Sequence, residues 1–463
     1  MGSPFSQVDF DFLKKYDRPG PRYTSYPTAP LFNDAFTSED YRSEILATNA
    51  PGSTADLSLY FHFPFCDTLC HFCGCTMLVT RDRRRVEEYL RYLKREIDMV
   101  ASSLGKDRRV IQLHWGGGTP THLFPEQIRD IGLFIRSRFP ITPDAEISVE
   151  IDPRELRREH LEALRDVGFN RMSMGVQDLD PAVQEAVNRI QPEAMTGQVY
   201  RWARELGFTS VNMDLIYGLP FQTLEGFDET VRTVIDYAPE RIAVFNYAHV
   251  PWLKPHQKLI NESDLPAPEQ KLALLRQTIE LFCSGGYEYI GLDHFAKPDD
   301  ELAIAQKQRT LYRNFQGYST RAGADLYGFG MSSISHFQTC YAQNEKALPE
   351  YYRALDEDRL ATHVGYRMTD DDRLRKHVIM RLMCDLELNV SAVERQFGIE
   401  FDSYFTSSLG ALERFVDDGL VAISPGQIAI QRGGRLLLRN IAMCFDAYLD
   451  AMMKTKPVFS RTV

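Results

Sequence analysis

The chain has 463 residues, long enough for one large domain with smaller additions. Its 44% hydrophobic and 25% charged residues are ordinary for a soluble globular protein. The net charge of −11 argues against general nucleic-acid binding. No apolar run reaches the roughly eighteen residues of a membrane span, and the N-terminus has no hydrophobic signal core. We therefore expect a cytoplasmic protein without nucleic-acid or membrane partners, in which an anionic ligand would need a local basic pocket.

Residues 1–52 are predicted to form an N-terminal arm. The stretch KKYDRPGPRYTSYPTAP, which begins at Lys14, contains prolines and a glycine that exclude a regular helix or a central strand. Such an arm either lies on the surface or crosses the mouth of a site. In the second case Arg22 and Tyr23 would face the ligand.

Four of the eight cysteines lie between Cys66 and Cys75, directly after the strand-like run LSLYFHF. A disulfide framework is not expected, because no secretion signal precedes them and no other cysteine pairs recur at regular spacing. His62 and His71 keep zinc as an alternative, although C-x3-C-x2-C is not the usual zinc spacing. Thiolates crowded in this way favour an iron–sulfur cluster. Three thiolates on a four-iron cluster would leave one iron open to a ligand.

Strand-like runs and helical patterns alternate from Leu57 onward. One helical pattern places apolar residues three and four apart between Val86 and Val100. This alternation predicts a parallel sheet with right-handed crossovers, in an α/β domain over residues 53–360. Six such units predict a partial (β/α)6 barrel, with its chemistry at the C-terminal ends of the strands. The runs are LSLYFHF (57–63), VIQLHWG (110–116), EISVEID (146–152), RMSMGVQ (171–177), SVNMDLIYG (210–218) and RIAVFNYAH (241–249).

Residues 361–463 are predicted to form a small, mostly α, winged-helix-like C-terminal domain. The string GLVAISPGQIAIQRGGRLLLRNI indicates two short strands followed by a basic helix. DNA binding by such domains is only an analogy of fold. Because the chain is acidic, we prefer a structural or substrate-covering role.

Polar residues and glycines follow several of the predicted strands. GGGTPT (116–121) is either a tight turn or a place where the backbone approaches a ligand closely. Alternation along the third strand puts Glu150 and Asp152 on one face. Gln177 ends the fourth strand, and Arg189 follows it in the stretch QEAVNRIQ, which we predict to be helical. Taken singly, residues of this kind are more often ordinary surface groups than ligands.

The string C-x3-C-x-F-C-G-C, in which Phe72 precedes the third cysteine, resembles the signature of radical S-adenosylmethionine (SAM) enzymes. Together with PRYTSYPTA in the arm, RNFQGY (313–318) and NIAMCFD (440–446), it resembles the oxygen-independent coproporphyrinogen III oxidase family over nearly the whole chain. The resemblance implies a radical SAM partial barrel. It also implies an oxidoreductase that oxidatively decarboxylates two propionates of coproporphyrinogen III to vinyl groups, giving protoporphyrinogen IX in haem biosynthesis. The agent would be a 5′-deoxyadenosyl radical derived from SAM.

The same resemblance implies which residues form the site. Cys66, Cys70 and Cys73 would hold one 4Fe–4S cluster, and Cys75 would be a catalytic residue rather than a ligand. Two SAM molecules are implied. The first would contact Tyr60, Gly117, Glu150 and Ile334. The second would contact Phe72, Gly118, Thr119, Gln177, Arg189, Asp214 and Ala248.

The implied partners are coproporphyrinogen III, an external flavodoxin- or ferredoxin-like reductant and an electron acceptor, acting on a monomer. The candidates for binding the substrate carboxylates are Arg22, Arg313 and the RDRRR run (81–85). The sequence does not choose among them. Two alternatives are a haem-binding or haem-transfer protein on the same scaffold and a zinc-stabilised DNA-binding regulator.

Overall fold

A computed structural model describes residues 11–50, 52, 55–105, 107–454 and 459–462. The chain forms two units, each discontinuous in sequence. The cysteine unit consists of Phe32–Asp214 and Gly323–Arg367, and the terminal unit consists of Leu215–Ala322, the chain up to Leu31 and the chain from Met368. The predicted continuous division into 1–52, 53–360 and 361–463 stays a prediction. In the part of the chain described, no helix is long and apolar enough to cross a membrane.

The cysteine unit is built on a sheet around the strand Leu57–Phe63, with Val110–Gly117 and Asp325–Phe329 parallel to it on either side. These strands are buried along almost their whole length, as in a parallel sheet covered on both faces. The predicted α/β alternation is therefore confirmed. Across the sheet the strands are Thr362–Arg367, Cys340–Asn344, Ile334–His336, Asp325–Phe329, Leu57–Phe63, Val110–Gly117, Ile141–Ile151, Arg171–Gln177 and Ser210–Tyr217. The first four of these pair antiparallel.

Helices connect the strands of this unit. Arg83–Ala101 begins where the Asp82 side chain accepts a hydrogen bond from the Arg84 backbone N–H. It buries the apolar face predicted between Val86 and Val100, because residues three and four apart share one side of a helix. The helices are Ser38–Thr48, Arg83–Ala101, Pro125–Arg138, Arg158–Asp166, Pro181–Ala186, Glu193–Glu205 and Leu348–Asp356, with a 3-10 turn at Pro120–His122.

One buried carboxylate ties a helix of the cysteine unit to its antiparallel strands. Glu96 is 3% exposed and accepts hydrogen bonds from Gly330 N (2.7 Å), Asn344 Nδ2 (2.6 Å) and the Tyr351 hydroxyl (2.7 Å). Burial raises the pKa of Glu96, and these three donors oppose that rise. The carboxylate thus satisfies polar groups from three separate segments that would otherwise be buried without partners.

The terminal unit contains the sheet Arg241–Asn246, His294–Ala296 and Glu288–Gly291, whose neighbouring strands run antiparallel. A hairpin joins Tyr312–Asn314 to Gly317–Ser319. The main helices are Asp11–Tyr16, Leu224–Tyr237, Pro268–Ser284, Glu301–Gln308, Asp370–Asp385, Val390–Phe397, Phe401–Tyr404, Thr406–Asp417, Leu438–Ala442 and Leu449–Met453. Shorter 3-10 turns lie at Ala29–Leu31, Pro255–Leu259, Glu262–Asp264, Gly433–Leu437 and Met443–Phe445.

The two short strands predicted near the C-terminus are confirmed as Val421–Ser424 and Gln427–Ile430. A third strand, Glu387–Asn389, pairs with the second and was not predicted, because three residues carry little periodicity. The predicted basic helix is a 3-10 turn that continues into the short helix Leu438–Ala442. The region is therefore mostly helical with a small antiparallel sheet.

The arm contains no regular helix or strand between Asp17 and Thr28, as its prolines predict. The prediction is wrong for residues 14–16, which end the helix Asp11–Tyr16 before the first proline of the stretch that begins at Lys14. The alternative in which Tyr23 faces a ligand is not supported. Tyr23 is 1% exposed, and its hydroxyl donates to Asp446 Oδ2 at 2.9 Å. The Arg22 side chain, by contrast, is 30% exposed.

Glu96→Gln tests the importance of the buried carboxylate. We expect the free energy of unfolding to fall by roughly 1–3 kcal/mol, because the amide NH2 replaces an oxygen that accepts from one or two of these donors. Glu87→Gln on the exposed side of the same helix is the matched control and should stay close to wild type. Urea denaturation measures both, and equal stability of the two variants would contradict the interpretation.

Candidate active site

The four clustered cysteines lie on a loop that leaves the C-terminal end of the strand Leu57–Phe63, as predicted. The base of the loop is closed by a short parallel pairing of Phe65–Cys66 with Leu78–Val79. Within the loop, the Cys73 backbone N–H donates to the Cys70 carbonyl at 3.1 Å. The loop is also held to the turn that contains Val187, whose carbonyl accepts from the His71 N–H at 3.0 Å.

The cysteine side chains interact with one another and with two arginines. Burial raises the pKa of the Cys66 thiol to about 12, and a hydrogen bond with Cys73 raises the pKa of the exposed Cys75. Cys70 Sγ lies 3.2 Å from Arg154 Nη2 and 3.6 Å from Arg189 Nη1. The two guanidinium groups therefore place positive charge beside the Cys70 sulfur.

Asp152 orients both arginines. Its Oδ2 atom lies 2.7 Å from Arg154 Nη2 and 2.9 Å from Arg189 Nη1. Burial opposes ionisation of Asp152, but the charges of Arg189 and Arg154 hold the pKa of its carboxyl below the usual value. The sequence analysis missed Arg154 and left Asp152 without a role. The only signal was that Asp152 shares a strand face with Glu150.

The glycines of GGGTPT lie directly against the end of the first strand. A Cβ atom at Gly118 would be 2.6 Å from the Pro64 carbonyl oxygen, and one at Gly117, where φ is +119°, would be 2.8 Å from the His62 ring. The Gly118 N–H donates to the Phe63 carbonyl at 2.8 Å. Only glycine permits this close approach of the two backbone segments. The packing of the protein itself therefore explains why glycines occupy these positions.

Glu150 lies beside the same glycines. Its carboxylate accepts from the Gly117 N–H at 3.1 Å, and its Oε1 atom is 3.3 Å from His114 Nε2. The His114 ring stacks on Tyr60, with ring centroids 5.9 Å apart. The Glu150 side chain is 45% exposed, so much of the carboxylate remains accessible to a ligand.

His62 completes this network and is not free to ligate a metal. The Tyr60 hydroxyl lies 3.0 Å from His62 Nδ1, and Thr76 O lies 2.9 Å from His62 Nε2. Burial lowers the pKa of His62 to about 4, so the ring is neutral at pH 7. The histidine therefore links the first strand to the end of the cysteine loop.

A second group of polar side chains in the cysteine unit, separate from the one around Glu150, consists of Gln177, Arg189 and Asp214. Arg189 Nη2 donates to the Gly175 carbonyl at 2.8 Å. Gln177 has a positive φ of 68°, and its buried Oε1 atom has no hydrogen-bond partner among the described residues. Asp214 accepts from Ser173 Oγ and Asn212 Nδ2, both at 2.7 Å, and burial raises its pKa to about 6.

The helical prediction for Arg189 is wrong. The preceding helix ends at Ala186, and Asn188 adopts the left-handed backbone conformation with φ of 55°. This turn releases Arg189 from a helix surface, so that it can reach Asp152 and Cys70. The left-handed turn at Asn188 is a local feature of the backbone, but the contacts that Arg189 makes depend on residues far away in the sequence.

The remaining predicted residues divide between the two units. Thr119 Oγ1 lies 3.5 Å from Cys66 Sγ, and Phe72 is half-buried on the cysteine loop. Ile334 begins a strand, and its backbone packs against Gly328, which is opposite Tyr60 in the sheet register. Ala248 belongs to the terminal unit, two residues after the strand Arg241–Asn246.

Gly118→Ala tests the close approach of the glycine run. The added methyl group would meet backbone atoms of Pro64 and Phe65, so we expect a loss of about 1–3 kcal/mol of stability. Gly74→Ala in the nearby cysteine loop is the control, because no atom lies within 4 Å of its Cβ position. Thermal unfolding of the two variants should differ clearly, and equal midpoints would contradict the steric interpretation.

Comparisons with known proteins agree with this geometry. The family profile described as "Radical SAM superfamily" matches residues 60–234, and the profile "HemN C-terminal domain" matches residues 368–437. The chain is 46% identical over 459 residues to the "Oxygen-independent coproporphyrinogen III oxidase" of Escherichia coli K12, covering 99% of both chains. It is also 46% identical to the protein of that name from Synechocystis, covering 100% of both.

A solved structure extends the similarity to three dimensions. It is titled "Coproporphyrinogen III oxidase (HemN) from Escherichia coli is a Radical SAM enzyme". The alignment has a TM-score of 0.91 and 46% identity, and it covers 96% of this chain and 100% of that one. The predicted α/β fold of the radical SAM type, with its mostly helical C-terminal region, is confirmed. The chain belongs to the oxygen-independent coproporphyrinogen III oxidase family of the radical SAM superfamily.

Proposed function

We propose that this protein oxidatively decarboxylates two propionate side chains of coproporphyrinogen III without oxygen, giving protoporphyrinogen IX. The main observation that supports this function is the loop with Cys66, Cys70 and Cys73 at the end of a buried parallel strand. Relatives that match the chain over its full length are named for this activity. Each propionate loses one hydrogen atom from its β-carbon, one electron and carbon dioxide, and becomes a vinyl group. Neither the haem-transfer nor the DNA-binding alternative is favoured by these relatives.

Membership of the superfamily implies a 4Fe–4S cluster and SAM. In the described part of the chain, no three histidine, cysteine or carboxylate side chains converge on a single metal ion. The donor set nevertheless fits an iron–sulfur cluster, because three cysteine thiols share one loop and two arginine guanidinium groups lie within 3.6 Å of Cys70 Sγ. We infer that Cys66, Cys70 and Cys73 are the ligands. When bound, the cluster supplies the electron that cleaves SAM and so provides the radical.

Cys75 is inferred to act on the substrate rather than to bind iron. It is exposed, and a hydrogen bond with Cys73 keeps its pKa high, so its sulfur carries a proton at pH 7. A fourth thiolate ligand would close the iron position that SAM needs. The role left for the Cys75 thiol is to hold or donate a proton beside the reacting group.

A first SAM molecule is proposed to contact Tyr60, Gly117, Glu150 and Ile334. The accessible Glu150 carboxylate suits ribose hydroxyls or the positive charge of a sulfonium. The Gly117 backbone adjoins Glu150, and Ile334 reaches the neighbourhood of Tyr60 through Gly328. These four residues therefore lie on four strands within a run of five adjacent strands of the cysteine unit.

A second SAM molecule is proposed to contact residues of the other polar group. The unpartnered Oε1 atom of Gln177 is an acceptor for a ligand donor, and the Arg189 guanidinium suits a carboxylate. The proposed contacts are Phe72, Gly118, Thr119, Gln177, Arg189, Asp214 and Ala248. Support comes from the proximity of Arg189 and Asp214, whose charges influence one another.

We further propose that a flavodoxin- or ferredoxin-like protein supplies the one-electron reductant and that an external acceptor removes the final electron. The protein is proposed to act as a cytoplasmic monomer, and the three-part division of the chain remains our proposal for its domains. The C-terminal domain would then have a structural or substrate-covering role rather than bind nucleic acid, in keeping with the net charge of −11.

Anaerobic turnover tests the proposed reaction. Protein reconstituted with iron and sulfide should, with dithionite, SAM and coproporphyrinogen III, release 5′-deoxyadenosine and a product with two vinyl groups, detected by mass spectrometry. Omission of SAM is the control and should abolish both products. The proposal would fall if protein with full iron and sulfide content formed neither product.

Serine substitutions separate the cysteine roles. Serine at Cys66, Cys70 or Cys73 should abolish the cluster absorbance, because an alcohol does not replace a thiolate ligand. Cys75→Ser should keep the iron content but lower turnover about ten-fold or more, as for loss of a positioned proton-transfer group. Cys283→Ser, far along the chain, is the control that should keep both. Loss of iron in Cys75→Ser would show the ligand assignment to be wrong.

A further inference from the structure

Three arginines from distant parts of the sequence lie together in the terminal unit: Arg22, Arg313 and Arg439, here called the arginine cluster. Arg313 is 3% and Arg439 is 7% exposed. Arg313 Nε donates to the Arg22 carbonyl at 3.3 Å. Burial lowers the pKa of Arg439 to about 10, with further lowering by the charges of Arg22 and Arg313. These three cations therefore lie close enough for their charges to repel one another.

A single carboxylate pairs with the cluster among the described residues. Asp293 forms an ion pair with Arg22. Arg439 instead directs its donors to backbone carbonyls of Gly20, Pro21 and Arg461. Three positive charges thus face one negative charge, in a protein whose overall charge is −11. Buried cations without counter-charges are costly, so this arrangement favours an anionic ligand.

Arg313 and His294 supply unused hydrogen-bond donors at this place. Arg313 Nη1 and His294 Nδ1 are buried, and neither has a partner in the described ranges. Burial lowers the pKa of His294 to about 3, so its ring is neutral at pH 7 and can donate from one nitrogen. A guanidinium edge is planar and matches the two oxygens of a carboxylate.

Aromatic rings adjoin these donors. The Arg313 guanidinium carbon lies 4.9 Å from the Tyr318 ring centroid, and the Arg22 guanidinium carbon lies 5.8 Å from that of Phe245. The His294 ring meets both rings edge-on, at centroid distances of 5.3 and 6.1 Å. The surroundings therefore suit a carboxylate carried on an apolar ring system better than a small inorganic anion.

We propose that Arg313, Arg22 and His294 form a subsite for a propionate carboxylate of the tetrapyrrole substrate, with Arg439 as a positioning residue that holds the backbone of the arm. This inference rests on the proposed function, which supplies a substrate with four such groups. A strong ion pair to a propionate that is being decarboxylated would stabilise the ground state more than the transition state. The subsite is therefore assigned to a propionate that the reaction leaves intact.

Binding of an unreactive analogue tests the subsite separately from turnover. Reconstituted holoenzyme is titrated anaerobically with coproporphyrin III, which carries the same four propionates, and with its uncharged tetramethyl ester, followed by porphyrin fluorescence. Arg313→Gln should raise the Kd for coproporphyrin III about ten-fold, because a charge-assisted bond is lost. Binding of the ester and the KM for SAM should stay unchanged. Arg276→Gln, on an exposed helix face of the same unit, is the matched control.

Each alternative has its own outcome. If Arg313→Gln weakens binding of coproporphyrin III and of its ester equally, Arg313 has a structural role. If it raises the KM for SAM, the ligand of Arg313 is the methionine carboxylate. Either result overturns the subsite. Should Arg313→Gln not fold, Arg22→Gln, at a partly exposed side chain, should weaken binding of the acid alone. Wild-type protein that binds coproporphyrin III but yields no vinyl product would refute the proposed reaction and not the subsite.

Discussion

The close backbone contact between Gly116–Gly118 and the end of the strand Leu57–Phe63 is the constraint on which the candidate site depends. The Phe63 and Phe65 carbonyls accept from Gly118 and Thr119, each at 2.8 Å, and a Cβ atom on Gly118 would prevent this. One side of the contact is the base of the cysteine loop. The other side presents the Gly117 N–H that holds Glu150. Loop and carboxylate are thus placed by the same few backbone atoms.

Charge is compensated differently in the two units. In the cysteine unit, Arg154 and Arg189 share Asp152 and direct further donors to Cys70 and to backbone carbonyls. The buried Arg189 Nε atom has no hydrogen-bond partner among the described residues. In the described part of the terminal unit, Asp293 forms its ion pair with Arg22, and Arg313 Nη1 has no hydrogen-bond partner. The terminal unit thus has a local excess of positive charge, which we propose attracts an anionic substrate to an otherwise acidic protein.

Local features of the site were predictable because they depend on residues that are close together in the sequence. Buried parallel strands appear as apolar runs, and the helix Arg83–Ala101 appears as a spacing of three and four. The cysteine loop was predicted because the four cysteines directly follow the strand-like run LSLYFHF. Arg189 could not be placed, because its helix ends early at a left-handed Asn188, which is a non-glycine residue and gives no strong signal. Tyr23 was open to two interpretations until its partner Asp446, from the other end of the chain, was known.

The sequence by itself determined the strand–helix alternation, the thiol-bearing loop and, through motif resemblance, the family and its cofactors. The tertiary structure decided which distant polar residues are partners: Asp152 with Arg189, Glu96 with three donors, and Asp293 with Arg22. The physical reason is that periodicity and spacing reflect interactions between neighbours in the chain. The pairing of a buried charge reflects which distant segments folding brings together, and no local pattern records that choice.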